Sequence, residues 1–277
     1  LVKVYACGVN PVDWKIREGF MEPMVHHHLP LTLGWDVAGT VAGAGPLVRR
    51  FGRGDAIFCR PDTLRDGGYA EYIAVKTTDL APAPESIPLD QAAGIPLASQ
   101  AAWTGLFEAG NLRKGQKILI HGASGGLGTF AVQFAKIAGA HVTATTSAKN
   151  YGLVQSLGAD EIIDHVTEDF SVKVKGMDMV FDTIGGETQA KSWGVLKKGG
   201  VLVSSVGADA KAAAAHGVEG RSFVLQSNGA RLEEIGKLVD AGEVSVIIEK
   251  EFPLAEARAA QELSQAGHAA GKIILKV

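Results

Sequence analysis

One stretch of this chain, residues 117–128 (KILIHGASGGLG), restricts the fold more than any other. Ile118, Leu119 and Ile120 form a short apolar run suited to a buried parallel strand. Gly122, Gly125 and Gly128 follow at three-residue intervals, with Ala123 and Gly126 keeping the turn small. Residues 130–140 (FAVQFAKIAGA) then carry apolar side chains at helical spacing and end at Gly139, a candidate C-cap. Strand, glycine turn and helix in that order suit a dinucleotide: the glycines let the backbone approach a pyrophosphate, and free N–H groups at the helix start bind it. The glycine spacing is one residue longer than G-x-G-x-x-G, so the turn alone also fits another α/β protein. The strand that follows the helix favours the nucleotide.

Around this centre, residues 117–206 alternate strand and helix, the pattern of a doubly wound parallel sheet. KILIHG, HVTATTS, EIID, MVFDTIG and VLVSSVG read as strands, while FAVQFAKIAGA, KNYGLVQSLGA and KSWGVLKK read as helices. Residues 1–90 are instead β-rich: short apolar stretches, YAEYIAV among them, separated by Gly, Pro and Asp, as in a small barrel or sandwich. VDWKIR is expected to form one helical turn there. Pro82, Pro84 and Pro88 mark a stretch expected to be neither helix nor strand, and a domain edge. Residues 90–109 are expected to be helical. The tail returns to mixed type: helix RLEEIGKLVDAG closed by Gly242, strand VSVIIEKEFPL, helix EARAAQELSQAGH and strand KIILKV. This return predicts that the first domain is discontinuous, with boundaries at 1–97, 98–226 and 227–277.

A net charge of −3 gives no basic field for nucleic acid, and no apolar run approaches the roughly 18 residues of a membrane span. Cys7 and Cys59 are too few for a disulfide framework and fit a reducing compartment, taken as the cytoplasm. Leu1 opens on a strand already under way, so the chain is expected to be incomplete at its start.

The stretches CGVNPVDWKIREG, LGWDVAGTV, GGYAEY, AAGIPLASQAAWTGL, HGASGGLGTFAVQFAK, LGADEIID, DTIGG and GKIILKV span nearly the whole chain. Together they resemble the medium-chain dehydrogenase/reductase superfamily, in its zinc-free quinone oxidoreductase (zeta-crystallin-like) and enone reductase branch. The resemblance implies a Rossmann domain with a GroES-like catalytic domain around it, an active site in the cleft between them, and roughly 30 residues of β-hairpin ahead of Leu1. It also implies a homodimer, in which VLVSSVG pairs edge to edge across a two-fold axis.

Zinc alcohol dehydrogenases of the superfamily place a cysteine ligand where this chain has Asn10, and a Gly-His-Glu triplet where it has Gly34, Trp35 and Asp36. Neither Asn nor Trp suits the metal, so no zinc is expected. His26, His27 and His28 are adjacent in sequence, point in different directions and read as a surface loop. About 20 residues beyond the glycine turn, NAD-specific sites carry an acidic residue. Here Ser147, Lys149 and Asn150 stand instead, with no carboxylate between Gly128 and Asp160, which favours the 2′-phosphate of NADP(H). His165 occupies the place of a tyrosine that covers this phosphate in relatives, weakening the contact or making it depend on pH. Gly122, Ser124, Gly125, Gly126, Leu127 and Gly128 are expected around the pyrophosphate. Ile184, Val206 and Gly207 lie at strand ends near the nicotinamide by resemblance, with Asn228 and Gln100 facing the cofactor.

Without a metal, an already electrophilic quinone or α,β-unsaturated carbonyl is the favoured hydride acceptor. Asn10 is a candidate donor to a carbonyl or the cofactor, or the cap of the following turn. Asp13 and Lys15 are candidates to relay a proton, or an ordinary ion pair on a helical turn. Trp14 and Trp35 shape an aromatic pocket or pack the core, and Tyr69 is either strand packing or a donor. Two further readings remain at this stage: a cofactor-binding protein without turnover, and an alcohol dehydrogenase relative that has lost its metal.

Overall fold

The computed structural model describes residues 1–22 and 26–277. Its strands in chain order are β1 Val2–Val9, β2 Val37–Val41, β3 Ala56–Cys59, β4 Tyr72–Ile73, β5 Leu80–Pro82, β6 Lys117–Ile120, β7 His141–Thr146, β8 Glu161–Asp164, β9 Met177–Asp182, β10 Leu196–Ser204, β11 Glu219–Ser222, β12 Ile248–Pro253 and β13 Lys272–Lys276. The chain forms two compact units, Leu1–Gln100 with Gln226–Val277, and Ala101–Leu225.

The first unit is built on one sheet with the order β12-β13-β1-β2-β3-β5, and β4 also pairs with β1. β1 starts with strict alternation, Val2 and Val4 inward and Lys3 and Tyr5 outward, and is wholly buried from Ala6 onward. Val4, Cys7, Val37, Ile57, Phe252 and Leu275 join in its core. Two registers matter for chemistry. β1 runs antiparallel to β13 with Val9 opposite Ile273, which brings Lys272 level with Asn10. β1 also pairs β2 with Cys7 opposite Val37, which carries Asp36 to the same end. VDWKIR extends into the helix Pro11–Arg17, opened by the proline whose missing N–H a first turn tolerates. YAEYIAV contributes only the two residues of β4.

The second unit is a parallel sheet with the order β11-β10-β9-β6-β7-β8. Counted within the unit this is the doubly wound order 3-2-1-4-5-6, whose direction reverses between β6 and β9. The helix Gly126–Ile137 follows β6 directly, and Gly139 beyond it has φ +75°.

Several expectations are corrected. KSWGVLKK is not a helix: Trp193–Val195 is a 3-10 turn and Leu196 starts β10, because Trp193 and Val195 turn into the core. VLVSSVG is not an edge strand, since β11 pairs along β10 in register from Val201 to Ser204. The proline stretch lies inside the first unit, and Pro82 ends β5 there. Residues 90–109 are helical as expected, with one break: Leu89–Ala92 is followed by Pro96–Trp103, which runs straight on into a π-helix at Thr104–Ala109.

Candidate active site

At the end of β1 the two registers converge on a buried polar cluster. Asn10, Asp36 and Lys272 are all nearly inaccessible. The Asn10 amide donates to Asp36 Oδ2 at 2.7 Å, and the Lys272 ammonium donates to the same carboxylate oxygen at 2.9 Å and to the Asn10 carbonyl oxygen. The Leu97 N–H completes the shell at Asp36 Oδ1, 2.5 Å away. Burial pushes the Asp36 carboxyl up, against the pull of the Lys272 charge. The capping of the Pro11–Arg17 helix falls to Asp13, whose Oδ2 accepts from the Asn10 backbone N–H at 2.7 Å.

Asp13 is fully buried, and its Oδ2 also accepts from the Tyr69 hydroxyl at 2.9 Å, so Tyr69 is a donor here. Asp13 Oδ1 has no partner. Burial raises this carboxyl to about 7, while the Asn10 and Tyr69 hydrogen bonds pull it down. Of the two readings for Asp13 and Lys15, the ion pair does not form: residues two apart on a helix point to different sides, and the Lys15 ammonium lies 5.6 Å from the centre of the Trp14 ring. Trp14 meets Phe20 edge to face, with an indole N–H that is buried and unpartnered. Trp35 is fully buried and donates to the Arg65 carbonyl at 3.2 Å, a packing role. The amide oxygen of Gln100 accepts the Asn228 N–H at 3.0 Å, and Asn228 Oδ1 caps the helix Gly229–Asp240 through the Arg231 N–H.

In the second unit the glycines form a cradle. A Cβ on Gly128 would lie 2.1 Å from the Gly122 carbonyl oxygen, and Gly122 itself has φ +66°. The helix starts at Gly126 with Gly125 as its N-cap and no side chain bonded there, leaving the first-turn N–H groups of Gly126, Leu127 and Gly128 to a ligand. Across the sheet reversal, Ile184 and Val206 are 56% and 45% exposed at the ends of β9 and β10, apolar surface at the ligand-binding edge. A Cβ on Gly185 would sit 3.0 Å from Val206, and Gly207 follows at φ +104°. Asp182 is not part of that surface: it is buried and accepts from the N–H groups of Ile184 and Gly185, from Gln189 and from Ser204.

Beyond β7, Ser124 Oγ accepts from Thr146 at 2.9 Å and from the Asn150 amide at 3.0 Å, which ties the glycine turn to the turn Ala148–Asn150. Lys149 is exposed on that turn, and His165 is anchored beside it by its N–H to the Thr146 carbonyl. The nearby carboxylates are committed elsewhere. Asp160 holds Lys136 and the Val142 N–H, and Asp164 holds the Val166 N–H and Thr167. His121, just before the glycines, bonds Thr145 and Ser192, and burial lowers its ring to about 4, a neutral structural group. His26 pairs with Glu22 and His27 contacts the Thr63 carbonyl, and no metal-ligating group exists among the described residues.

Sequence reasoning missed Lys272 altogether. Its signal was a lysine opening the last strand ahead of the apolar run Ile273–Leu275, which acquires meaning only through the β1–β13 register.

Residues 1–85 match the family model of the alcohol dehydrogenase GroES-like domain, and residues 157–275 that of the zinc-binding dehydrogenases. The chain is 33% identical over its whole length to the mouse protein named NAD(P)H oxidoreductase RTN4IP1, mitochondrial, covering 81% of it. It is 35% identical to the Arabidopsis thaliana NADPH-dependent alkenal/one oxidoreductase, chloroplastic, over 99% of this chain and 71% of that one. The quinone oxidoreductase of Coxiella burnetii superposes with a TM-score of 0.92 at 31% identity, covering all of this chain and 89% of the other.

Proposed function

The chain belongs to the medium-chain dehydrogenase/reductase superfamily, in its quinone and enone reductase branch, and from that premise we propose that it is a zinc-independent, NADPH-dependent reductase of quinones or of the activated C=C bonds of enones and alkenals. The observation that carries the reading is the Asn10–Asp36–Lys272 cluster. These residues do not fit a catalytic zinc. A carboxamide and an indole are poor ligands, and the Lys272 ammonium already sits on Asp36 Oδ2, where it repels a second cation.

The glycine cradle and the turn after β7 fit NADPH. The N–H groups of Gly126, Leu127 and Gly128 would hold the pyrophosphate, while Ser147, Lys149, Asn150 and His165 would offer the 2′-phosphate donors and no free carboxylate. Ile184, Val206 and Gly207 would back the ring, and within the first unit Gln100 holds the Asn228 N–H. NADPH, when bound, supplies the hydride that the electrophilic carbon accepts. In an enone the alkene electron pair then moves onto the carbonyl oxygen, and a proton added at the α carbon completes the saturated product. Asp13, poised near neutrality with Tyr69 as its donor, and the half-buried Lys15 are the groups able to exchange that proton.

We also read the protein as a homodimer, with β11 rather than β10 as the free edge; Val224 just beyond it is 87% exposed. A monomeric mass by light scattering overturns this. The cytoplasmic reading rests on Cys7 and Cys59, both free and buried, a state that any reducing compartment preserves. No helix among the described residues is long and apolar enough to cross a membrane.

The direct test is NADPH consumption by metal-free protein with a quinone and a short enone side by side, repeated with NADH. Turnover with NADPH preferred supports the reductase, and the faster acceptor identifies its class. Tight NADPH binding without turnover of either favours the cofactor-binding reading, and oxidation of a simple alcohol favours the metal-free alcohol dehydrogenase.

A further inference from the structure

Arg60 directly follows β3 and is 8% exposed. Its Nη1 donates to the Ser227 hydroxyl at 2.9 Å, its only hydrogen bond among the described residues, and its Nε is buried without a partner. Among the described residues no carboxylate comes within ion-pair distance of it. The three that act on it from farther away are each engaged: Asp36 with Lys272, Asp62 with Lys76 at 2.8 Å, and Asp79 with the Thr78 hydroxyl at 3.0 Å. Burial lowers the guanidinium pKa from its ordinary value, yet an arginine remains charged at neutral pH. A mostly buried cation whose one partner is neutral and whose Nε–H has none is costly to fold around, and such groups are normally paired.

Its surroundings indicate what the missing partner belongs to. Ser227, which accepts from Arg60, adjoins Asn228, whose N–H is fixed by Gln100. The charge of Asp36, the carboxylate at the centre of the Asn10–Lys272 cluster, also acts on Arg60. Within the first unit the guanidinium therefore touches the neighbour of Asn228 and lies in the field of Asp36, members of the two groups of residues that the reductase reading assigns to the reacting molecules. A neutral carbonyl would accept a hydrogen bond but leave the charge uncompensated, whereas a carboxylate supplies two oxygens and cancels it.

We propose that Arg60 is a specificity residue that binds an anionic group, a carboxylate, on the acceptor, so that the preferred substrate is an enone or quinone bearing such a group. This rests on the reductase reading and narrows its substrate class.

The test compares trans-4-oxopent-2-enoate with its methyl ester, which keeps the enone and removes the charge, in the wild-type protein, Arg60→Met and Arg60→Lys. The expected result is a wild-type kcat/KM favouring the acid, with the acid-to-ester ratio falling roughly 30-fold or more in Arg60→Met and partly restored in Arg60→Lys. Taking the ratio removes any general loss from misfolding. A ratio that stays within about twofold of wild type in Arg60→Met overturns the proposal, because a purely structural arginine affects both acceptors alike. A selective rise in the KM for NADPH with the ratio unchanged also overturns it, since the guanidinium then answers to a phosphate of the cofactor. Calorimetric binding of the saturated product analogue 4-oxopentanoate separates this failure from that of the reductase reading. Binding weakened in Arg60→Met supports the anion site even if neither enone turns over, and equal binding overturns it.

Discussion

Tyr69 gives its phenolic hydrogen to Oδ2 of Asp13 across 2.9 Å, joining residues 56 positions apart at the start of the helix Pro11–Arg17. The same oxygen takes the Asn10 N–H, and the other carboxylate oxygen takes nothing. Satisfied on one side and desolvated on the other, this carboxyl sits at about 7 instead of 3.8.

A raised carboxyl stabilises the fold fully below its unfolded value, and that contribution disappears as pH rises to the folded value. The window is therefore pH 3.8 to about 7. Asp13→Asn keeps an acceptor for both donors and cannot ionise. Urea unfolding across this range should show the variant gaining on wild type with rising pH, by up to about 4 kcal/mol at the top. Parallel stability curves would show that Asp13 is ionised in the fold throughout.

The buried Lys272–Asp36 pair predicts a different pattern. Removing one member of such a pair leaves the other charge uncompensated, at a cost of about 3–5 kcal/mol. Lys272→Met should lose stability on that scale, and adding Asp36→Asn should recover much of it although a second polar group has been altered. Additive losses in thermal or urea unfolding would mean that the pair contributes less than its burial implies.

How much of this was legible in the sequence follows the range of the interactions. The β6–turn–helix unit was readable because each glycine answers a local need, and the alternating strands and helices of the second unit because each carries its own period. VLVSSVG misled because its apolar run says nothing about whether another strand lies beyond it, and β11, reading Glu-Gly-Arg-Ser, has no apolar pattern to find. KSWGVLKK has helical composition, but Trp193 and Val195 are drawn into the core beside Leu202. Asp13 and Lys15 looked like a pair because they are close in sequence, whereas the partners of Asp13 and Asn10 come from Tyr69 and Lys272, which only sheet register brings near.

The glycine cradle yields a prediction with an internal control. In Gly128→Ala the new methyl would meet the Gly122 carbonyl oxygen at 2.1 Å and Ala123 Cα at 2.7 Å, both rigid backbone, so the helix start must shift away from the turn. The dissociation constant for NADPH, measured by fluorescence, should rise roughly 10-fold or more, with a lower melting temperature. Gly152→Ala lies in the helix Tyr151–Ser156 and meets nothing within 4 Å, so it should leave binding alone and add about 0.5–1 kcal/mol of stability. Similar binding losses in both variants would point to global disturbance and not to the cradle.

On the proposed reading the turn Ala148–Asn150 carries the choice between the two nicotinamide cofactors, and Lys149 is its one cation. Its side chain is exposed and takes part in none of the ion pairs among the described residues, while Asn150 is held by Ser124 and Ser147 contacts Asn150. A phosphate placed there meets one mobile charge and a set of fixed neutral donors. Lys149→Ala should therefore raise the KM for NADPH by roughly 10-fold with little change for NADH, which lacks the phosphate. Because the lysine is exposed, the effect on NADPH should shrink as salt is raised toward 0.5 M. Equal changes for the two cofactors would mean that Lys149 serves the turn rather than the phosphate, and would remove the charge argument for NADPH.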